Sequence, residues 1–192
     1  MMRERLLAAA KQCLADKGYA RTTVRDIVAA SGSNLAAINY HFRSKDALLY
    51  EAMLELTSEA MDEVTKALPG AEDVPSGGEP APSRPELFWT ELIRSLTHNH
   101  TLWAVSVEIA AQAVHSPDLR KQLSASRLTA RGNLAAVLHH GDGHRDAVGG
   151  VHLALMTGLL VQWMIDPANA PTAQDITEGI LALADDLRTV PH

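Results

Sequence analysis

The chain of 192 residues has a single cysteine, Cys13, so no intramolecular disulfide can form and a disulfide-stapled secreted fold is excluded. It has no uninterrupted apolar run of about 18 residues. Its N-terminus, MMRERLLAAA, lacks the hydrophobic stretch of a signal peptide, so a cytoplasmic chain with no membrane partner is expected. Strand-like alternation of apolar and polar residues is also missing, which leaves no basis for a sheet. Common catalytic signatures are absent too: no Gly-rich phosphate loop after a strand, no Ser in a G-x-S-x-G setting, no H-E-x-x-H helix. Glu108 with His98 or His115 is the best acid–base pair on offer, and helical spacing does not force them together, so an enzyme is the distant alternative. His98, His100, His139, His140 and His144 match no zinc-ligand spacing and have no cysteine beside them; no metal and no cofactor are expected.

What the chain does have is helical periodicity from end to end and a hydrophobic content of 46%, ample for a buried core. The fold class is all-α. Arg21 to Leu49, RTTVRDIVAASGSNLAAINYHFRSKDALL, is the most informative stretch. Thr23 followed three residues later by Asp26 is a capping box that starts a short helix, whose apolar face is Val24, Ile27 and Val28. Ser31-Gly32-Ser33 ends it, Gly supplying the positive φ that a tight turn needs. Asn34 then caps a second helix, with Leu35 and Ile38 expected inward and Ala36, Ala37, Asn39 and Tyr40 outward. Ser44 caps the helix after that, with Lys45 at its start. The pattern is a helix-turn-helix whose second helix presents small and polar residues to a partner.

Residues 3 to 50 resemble the N-terminal DNA-binding domain of TetR-family regulators, and NLAAINYHF followed by SK is very close to a common pattern of that family. Ser33 departs from the Val often found after the turn glycine, which predicts a slightly looser turn. The resemblance implies a three-helix DNA-binding domain at 1–50 and a helical effector-binding and dimerisation domain at 51–192. It implies a transcription regulator, most simply a repressor that acts as a homodimer on a palindromic double-stranded DNA operator and is released by an apolar small-molecule effector. A ligand-independent dimeric DNA-binding protein, or an activator, is the alternative.

Charge agrees with that division. The whole chain carries −6, but residues 1–50 hold eight basic and four acidic side chains, a net of +4. Thr22 and Thr23, at a helix N-terminus, can offer hydroxyl and amide donors to a phosphate. Tyr40, His41 and Lys45 match family positions that usually touch phosphates. Arg25, Asn34, Ala36, Ala37 and Asn39 are the candidates for base edges, since Asn can pair bidentately with adenine and Ala methyls can contact thymine.

Beyond the motif, helices are predicted at about 3–17, from Ser44 to about 67, and at about 86–98, 102–114, 117–139 and 145–165, with a last one after the Thr172/Asp175 capping box. Gly70 to Pro85 reads as a flexible linker. Cys13 falls on the apolar face of the first helix as a core thiol. The final two helices carry more apolar surface than a small body easily covers: Val148, Val151, His152, Leu155 and Leu159 on one, Ile176, Ile180, Leu183 and Leu187 on the other. Together with Gly149, Gly150, Gly158 and Gly179, which permit close helix approach, they form the expected dimer interface. The effector pocket implied by the resemblance takes its candidate walls from four of the body helices. Trp89, Leu92, Ile93 and Leu96 stand on one, Trp103, Val107, Glu108, Ala111 and Gln112 on the next, and Leu128, Met156 and Trp163 on two more.

Overall fold

The computed structural model describes residues 1–68, 82–139, 141 and 143–189. Most of the expected linker, and His140 and Asp142 of the Gly-rich loop, lie outside the described residues. Among the described residues there are nine helices and no strand. They are α1 (Met2–Lys17), α2 (Val24–Ser31), α3 (Leu35–Phe42), α4 (Lys45–Lys66), α5 (Arg84–His98), α6 (His100–Gln112), α7 (Pro117–Leu138), α8 (Arg145–Ile165) and α9 (Ala173–Thr189).

The start and stop signals act where the sequence puts them. Thr23 Oγ1 accepts the Asp26 amide at 3.2 Å while the Asp26 carboxylate accepts the Thr23 amide at 2.9 Å, closing the capping box of α2. Gly32 ends that helix in the left-handed region, φ 58°, ψ 36°. Thr172 and Asp175 repeat the arrangement ahead of α9, with bonds of 2.9 and 3.1 Å. Two helices are displaced: α6, His100–Gln112, lies two residues earlier than expected, and α5 starts at Arg84, inside the expected linker, because Ser83 Oγ accepts the Glu86 amide at 3.3 Å and Pro85 sits in the first turn, where its missing N–H costs nothing.

The chain forms two compact units, one of residues 1–60 and 99–130, the other of residues 61–98 and 131–192. These are not the sequence modules 1–50 and 51–192, since α6 and the start of α7 complete the first unit's core. There Leu6, Ala10 and Leu14 of α1 meet Ile27, Ile38, Leu48 and Leu49, joined by Val105 and Ile109 of α6 and Leu119 of α7. Each of these leucine, isoleucine and valine side chains, when fully buried, contributes about 1.5–3 kcal/mol relative to exposure. Cys13 belongs to this core at 6% exposure, and burial pushes its thiol pKa up, as suits an inert packing residue.

In the second unit Phe88, Trp89 and Leu92 of α5 are fully buried, and Leu134, Leu153, Leu159 and Leu160 are nearly so. Helix α9 packs on α5, yet none of its residues is buried. Helix α8 has the length and composition to cross a membrane. His152, Thr157 and Gln162 interrupt its apolar stretch, so no unbroken apolar run marks it in the sequence. Its exposed apolar residues include a stripe, Ala147, Val151, Ala154, Gly158, Val161 and Ile165, at alternating spacings of four and three, with Leu155 beside it.

Candidate nucleic-acid interface

Helices α2 and α3 both pack on α1, with Ile27, Ile38 and Phe42 pointing into the shared core. What remains outside is the candidate recognition surface. On α3, Ala36, Asn39 and Tyr40 are exposed, Tyr40 at 84%. Asn34 Oδ1 accepts the Ala37 amide at 2.9 Å, so this residue caps the helix with its oxygen and keeps its amide N–H donors for a partner. Arg25 on α2 is exposed and has no hydrogen-bond or ion-pair partner among the described residues. His41 is half-buried, set edge-on to Tyr40 at 4.9 Å.

Lys45 is held in place. Its ammonium donates to the Thr22 carbonyl at 3.4 Å, stands 3.7 Å from Asp46 and lies 5.7 Å from the centre of the Tyr19 ring. Tyr19 in turn donates to Asp46 at 3.2 Å and shares a 3.2 Å hydroxyl contact with Tyr50, their rings stacked 5.8 Å apart. Burial first, and the Tyr50 bond second, hold the Tyr19 phenol protonated far above its usual range. This aromatic and acidic support fixes the cation beside the start of α2.

Five expectations change. Thr22 is 1% exposed, and its hydroxyl donates to the carbonyls of Gly18, at 2.7 Å, and Cys13, at 3.2 Å, while its amide donates to Tyr19; it braces the loop before α2 and has nothing left for a phosphate. Thr23 is exposed, but its hydroxyl and amide both donate to the Asp26 carboxylate, which already occupies the N-terminus of α2. That carboxylate also takes a 2.6 Å bond from Lys17, and this bond, followed by the Thr23 bonds, pulls the Asp26 pKa far below the usual range. Leu35, expected inward, is 52% exposed at the first position of α3, whereas Ala37, expected outward, packs partly against the core. Ser33 does not loosen the turn, because its hydroxyl meets Ser31 Oγ at 2.6 Å and Arg5 ties the Ser31 carbonyl at 2.6 Å.

The +4 of residues 1–50 is also partly spent inside the unit. Arg3 pairs with Glu51, Lys11 with Glu55 and Glu59, and Lys17 with Asp26, so the acids of α4 just past residue 50 neutralise the far side. Arg5 and Arg21 donate only to backbone carbonyls, and Arg25 and Arg43 have no hydrogen-bond or ion-pair partner among the described residues. Sequence reading passed over Arg43, whose only advance signal was its place directly after the α3 pattern.

The body residues divide as well. Of the expected pocket walls, Trp89, Leu92, Ile93, Leu96, Met156 and Trp163 belong to the second unit, and Trp103, Val107, Glu108, Ala111, Gln112 and Leu128 to the first. Leu128 is 67% exposed, and Ala111 and Gln112 are exposed too, so these three face outward from their helices and line no interior wall of their unit. A groove of about 530 Å³ lies between α1 and α4, walled by Leu7, Lys11 and Leu56 among others, and none of the twelve borders it. The indole N–H groups of Trp89 and Trp163 are buried and have no hydrogen-bond partner among the described residues.

Of the expected interface residues, Val151, Leu155, Leu183 and Leu187 are exposed, while Val148, Ile176 and Ile180 are half-buried. Two face inward. Leu159 is 4% exposed, and His152 stacks on Trp89 with ring centres 6.0 Å apart, so both serve their own unit's packing. Among the glycines, Gly149 meets the Arg131 backbone of its own chain, whereas nothing lies within 4 Å of a Cβ built at Gly158 or Gly179.

Helical among its described residues, with a capped helix-turn-helix, a bare α3 face and a fixed Lys45 at the start of the next helix, the chain is a DNA-binding protein of the helix-turn-helix class. The profile described as "Bacterial regulatory proteins, tetR family" matches residues 6–52, and that of "BetI-type transcriptional repressor, C-terminal" matches residues 83–187. The chain belongs to the TetR family and is a transcription regulator rather than an enzyme. It is 26% identical over 200 residues to the HTH-type transcriptional regulator TtgR of Pseudomonas putida, covering 98% of this chain and 92% of that one. It is 42% identical over 55 residues, 29% of each chain, to the HTH-type transcriptional repressor Rv1474c of Mycobacterium tuberculosis. The multidrug binding protein EbrR, solved with imidazole, shares its fold at a TM-score of 0.65 and 22% identity, over 88% of this chain and 82% of that one.

Proposed function

We propose that the chain is a cytoplasmic homodimeric repressor that reads a palindromic operator with α3 and is released when a small, mainly apolar molecule enters the second unit. The observation that carries the DNA half is the pairing of a bare reading face, Asn34, Ala36, Asn39 and Tyr40, with a Lys45 ammonium already fixed by Thr22, Tyr19 and Asp46. In a helix-turn-helix the N-terminal residues of the second helix meet base edges in the major groove, so Asn34, Leu35, Ala36 and Asn39, with Arg25 of α2, specify while Tyr40, His41 and Lys45 anchor to the backbone. Ala37 contributes mainly to packing. Lys45→Ala tests this: affinity should fall alike for all duplex sequences, and the salt dependence should flatten by about one phosphate per reading head.

The apolar stripe on α8, with Gly179, Leu183 and Leu187 of α9, supports dimerisation, since a water-facing stripe with room for a neighbouring backbone at two glycines is what a helix from a second chain fills. Two-fold symmetry then calls for a palindromic site. Effector control is supported by Trp89 and Trp163, whose buried N–H groups have unmet demand for an acceptor, and by the ligand in the related EbrR structure. An effector with an acceptor atom and an apolar body fits Trp89, Leu92, Ile93, Leu96, Met156 and Trp163. If it weakens operator binding tenfold, the operator-bound protein must bind it tenfold more weakly, a coupling of about 1.4 kcal/mol.

A further inference from the structure

We propose that Arg43 is a further DNA-phosphate contact, kept in a left-handed backbone conformation that carries its guanidinium off the end of the reading helix. This rests on the reading that the exposed face of α3 meets DNA. Arg43 follows Phe42, the last residue of α3, and closes that helix by donating its amide to the Asn39 carbonyl at 3.1 Å. Its φ is 69° and its ψ −33°, a region that L side chains rarely adopt because Cβ crowds the backbone. Among the described residues only His144 is another non-glycine with positive φ. At Gly18 and Gly32, the other two positive-φ positions ending helices in this unit, the chain uses the residue that relieves the crowding. At position 43 it tolerates the strain and keeps a cation.

That cation serves no fold contact. Arg3, Lys11 and Lys17 of the same unit are paired with carboxylates, and Arg5 and Arg21 donate to backbone carbonyls. Arg43 is exposed and has no hydrogen-bond or ion-pair partner among the described residues. Its place decides which part of DNA it meets. The start of a recognition helix enters the groove and its far end leaves toward the sugar-phosphate wall, so a side chain one residue past that end, three after Tyr40 and two before Lys45, reaches phosphate and not base edges. The strain is retained where function needs it.

The test compares wild type, Arg43→Gly and Arg43→Lys on one duplex selected by wild type from a randomised pool, using fluorescence anisotropy over a range of KCl concentrations and thermal melting. Glycine removes the charge and relieves the backbone together. Arg43→Gly should melt at the wild-type temperature or a few degrees above it, bind about tenfold more weakly at low salt, and lose about one unit of salt slope per reading head. Arg43→Lys, keeping the charge, should keep the slope. Three results overturn the proposal: Arg43→Gly binding with wild-type affinity and slope, Arg43→Gly melting several degrees lower, which would make the residue a structural cap, or Arg43→Lys losing as much slope as the glycine variant. If wild type enriches no duplex from the pool, the DNA-reading assignment of α3 fails with it, an outcome distinct from wild-type binding with an indifferent Arg43→Gly.

Discussion

Gly149→Ala should destabilise the second unit even though it replaces a poor helix former with the best one. Gly149 is buried in α8 where that helix crosses the Arg131 backbone of α7. A methyl group there would overlap the Arg131 carbonyl oxygen and stand 2.9 Å from its carbonyl carbon and 3.2 Å from its Cα. Backbone cannot swing aside as a flexible side chain does, so α8 must shift bodily. Overpacking of this kind costs about 1–3 kcal/mol, against a propensity gain of about 0.8–1 kcal/mol for replacing a helical glycine. The expected net is a loss of up to about 2 kcal/mol. Gly132, one residue from the clash site, is the control: it is exposed in α7 with nothing within 4 Å of its Cβ position, so Gly132→Ala should gain the propensity term alone. The two variants should therefore move urea midpoints in opposite directions at unchanged slope. Equal midpoints for both would refute the close approach of α8 to the Arg131 backbone.

Other outcomes follow from the same geometry. Leu183→Asp, at a position 64% exposed within the chain, should leave helicity intact by circular dichroism and give monomers in light scattering; a dimer of wild-type affinity would place the interface elsewhere. Thr22→Val should lower stability by about 1–3 kcal/mol, because removing its hydroxyl strips the Cys13 and Gly18 carbonyls of a buried donor. The Asp26 carboxyl has a depressed folded-state pKa, caused first by the Lys17 bond, so its contribution is complete above the unfolded value of about 3.9 and drains away as pH falls below that. Wild type should lose stability on acidification through that window more steeply than Asp26→Asn, and parallel profiles would remove the capping carboxylate from the account.

The DNA-reading end was readable in sequence because its signals are local. Capping boxes, a turn glycine and an Asn cap act within three or four residues, and the structure places Thr23, Gly32 and Asn34 accordingly. What sequence could not decide is which of two uses a polar group is put to. Thr22 and Thr23 look like phosphate donors until Gly18, Cys13 and Asp26 are seen to consume them. Leu35 and Ala37 exchanged faces because an eight-residue helix offers barely two turns, too few for periodicity to fix its rotation. In the body, Leu159 and His152 belong to the same expected apolar face as Val151 and Leu155, and contacts distant in sequence, His152 with Trp89 and Gly149 with the Arg131 backbone, show which side of α8 turns inward. Arg43 carried no local signal beyond its place after the α3 pattern, since its positive φ belongs to the closing of α3 ahead of α4.

The central claim, that the exposed face of α3 reads duplex DNA, is tested most directly by selecting duplexes from a randomised pool with wild type and with Asn39→Ala and sequencing both sets. Wild type should enrich a two-fold symmetric motif, and Asn39→Ala should relax one position in each half-site by the equivalent of about 1–3 kcal/mol. No enriched motif, or an identical motif for both proteins, would contradict it.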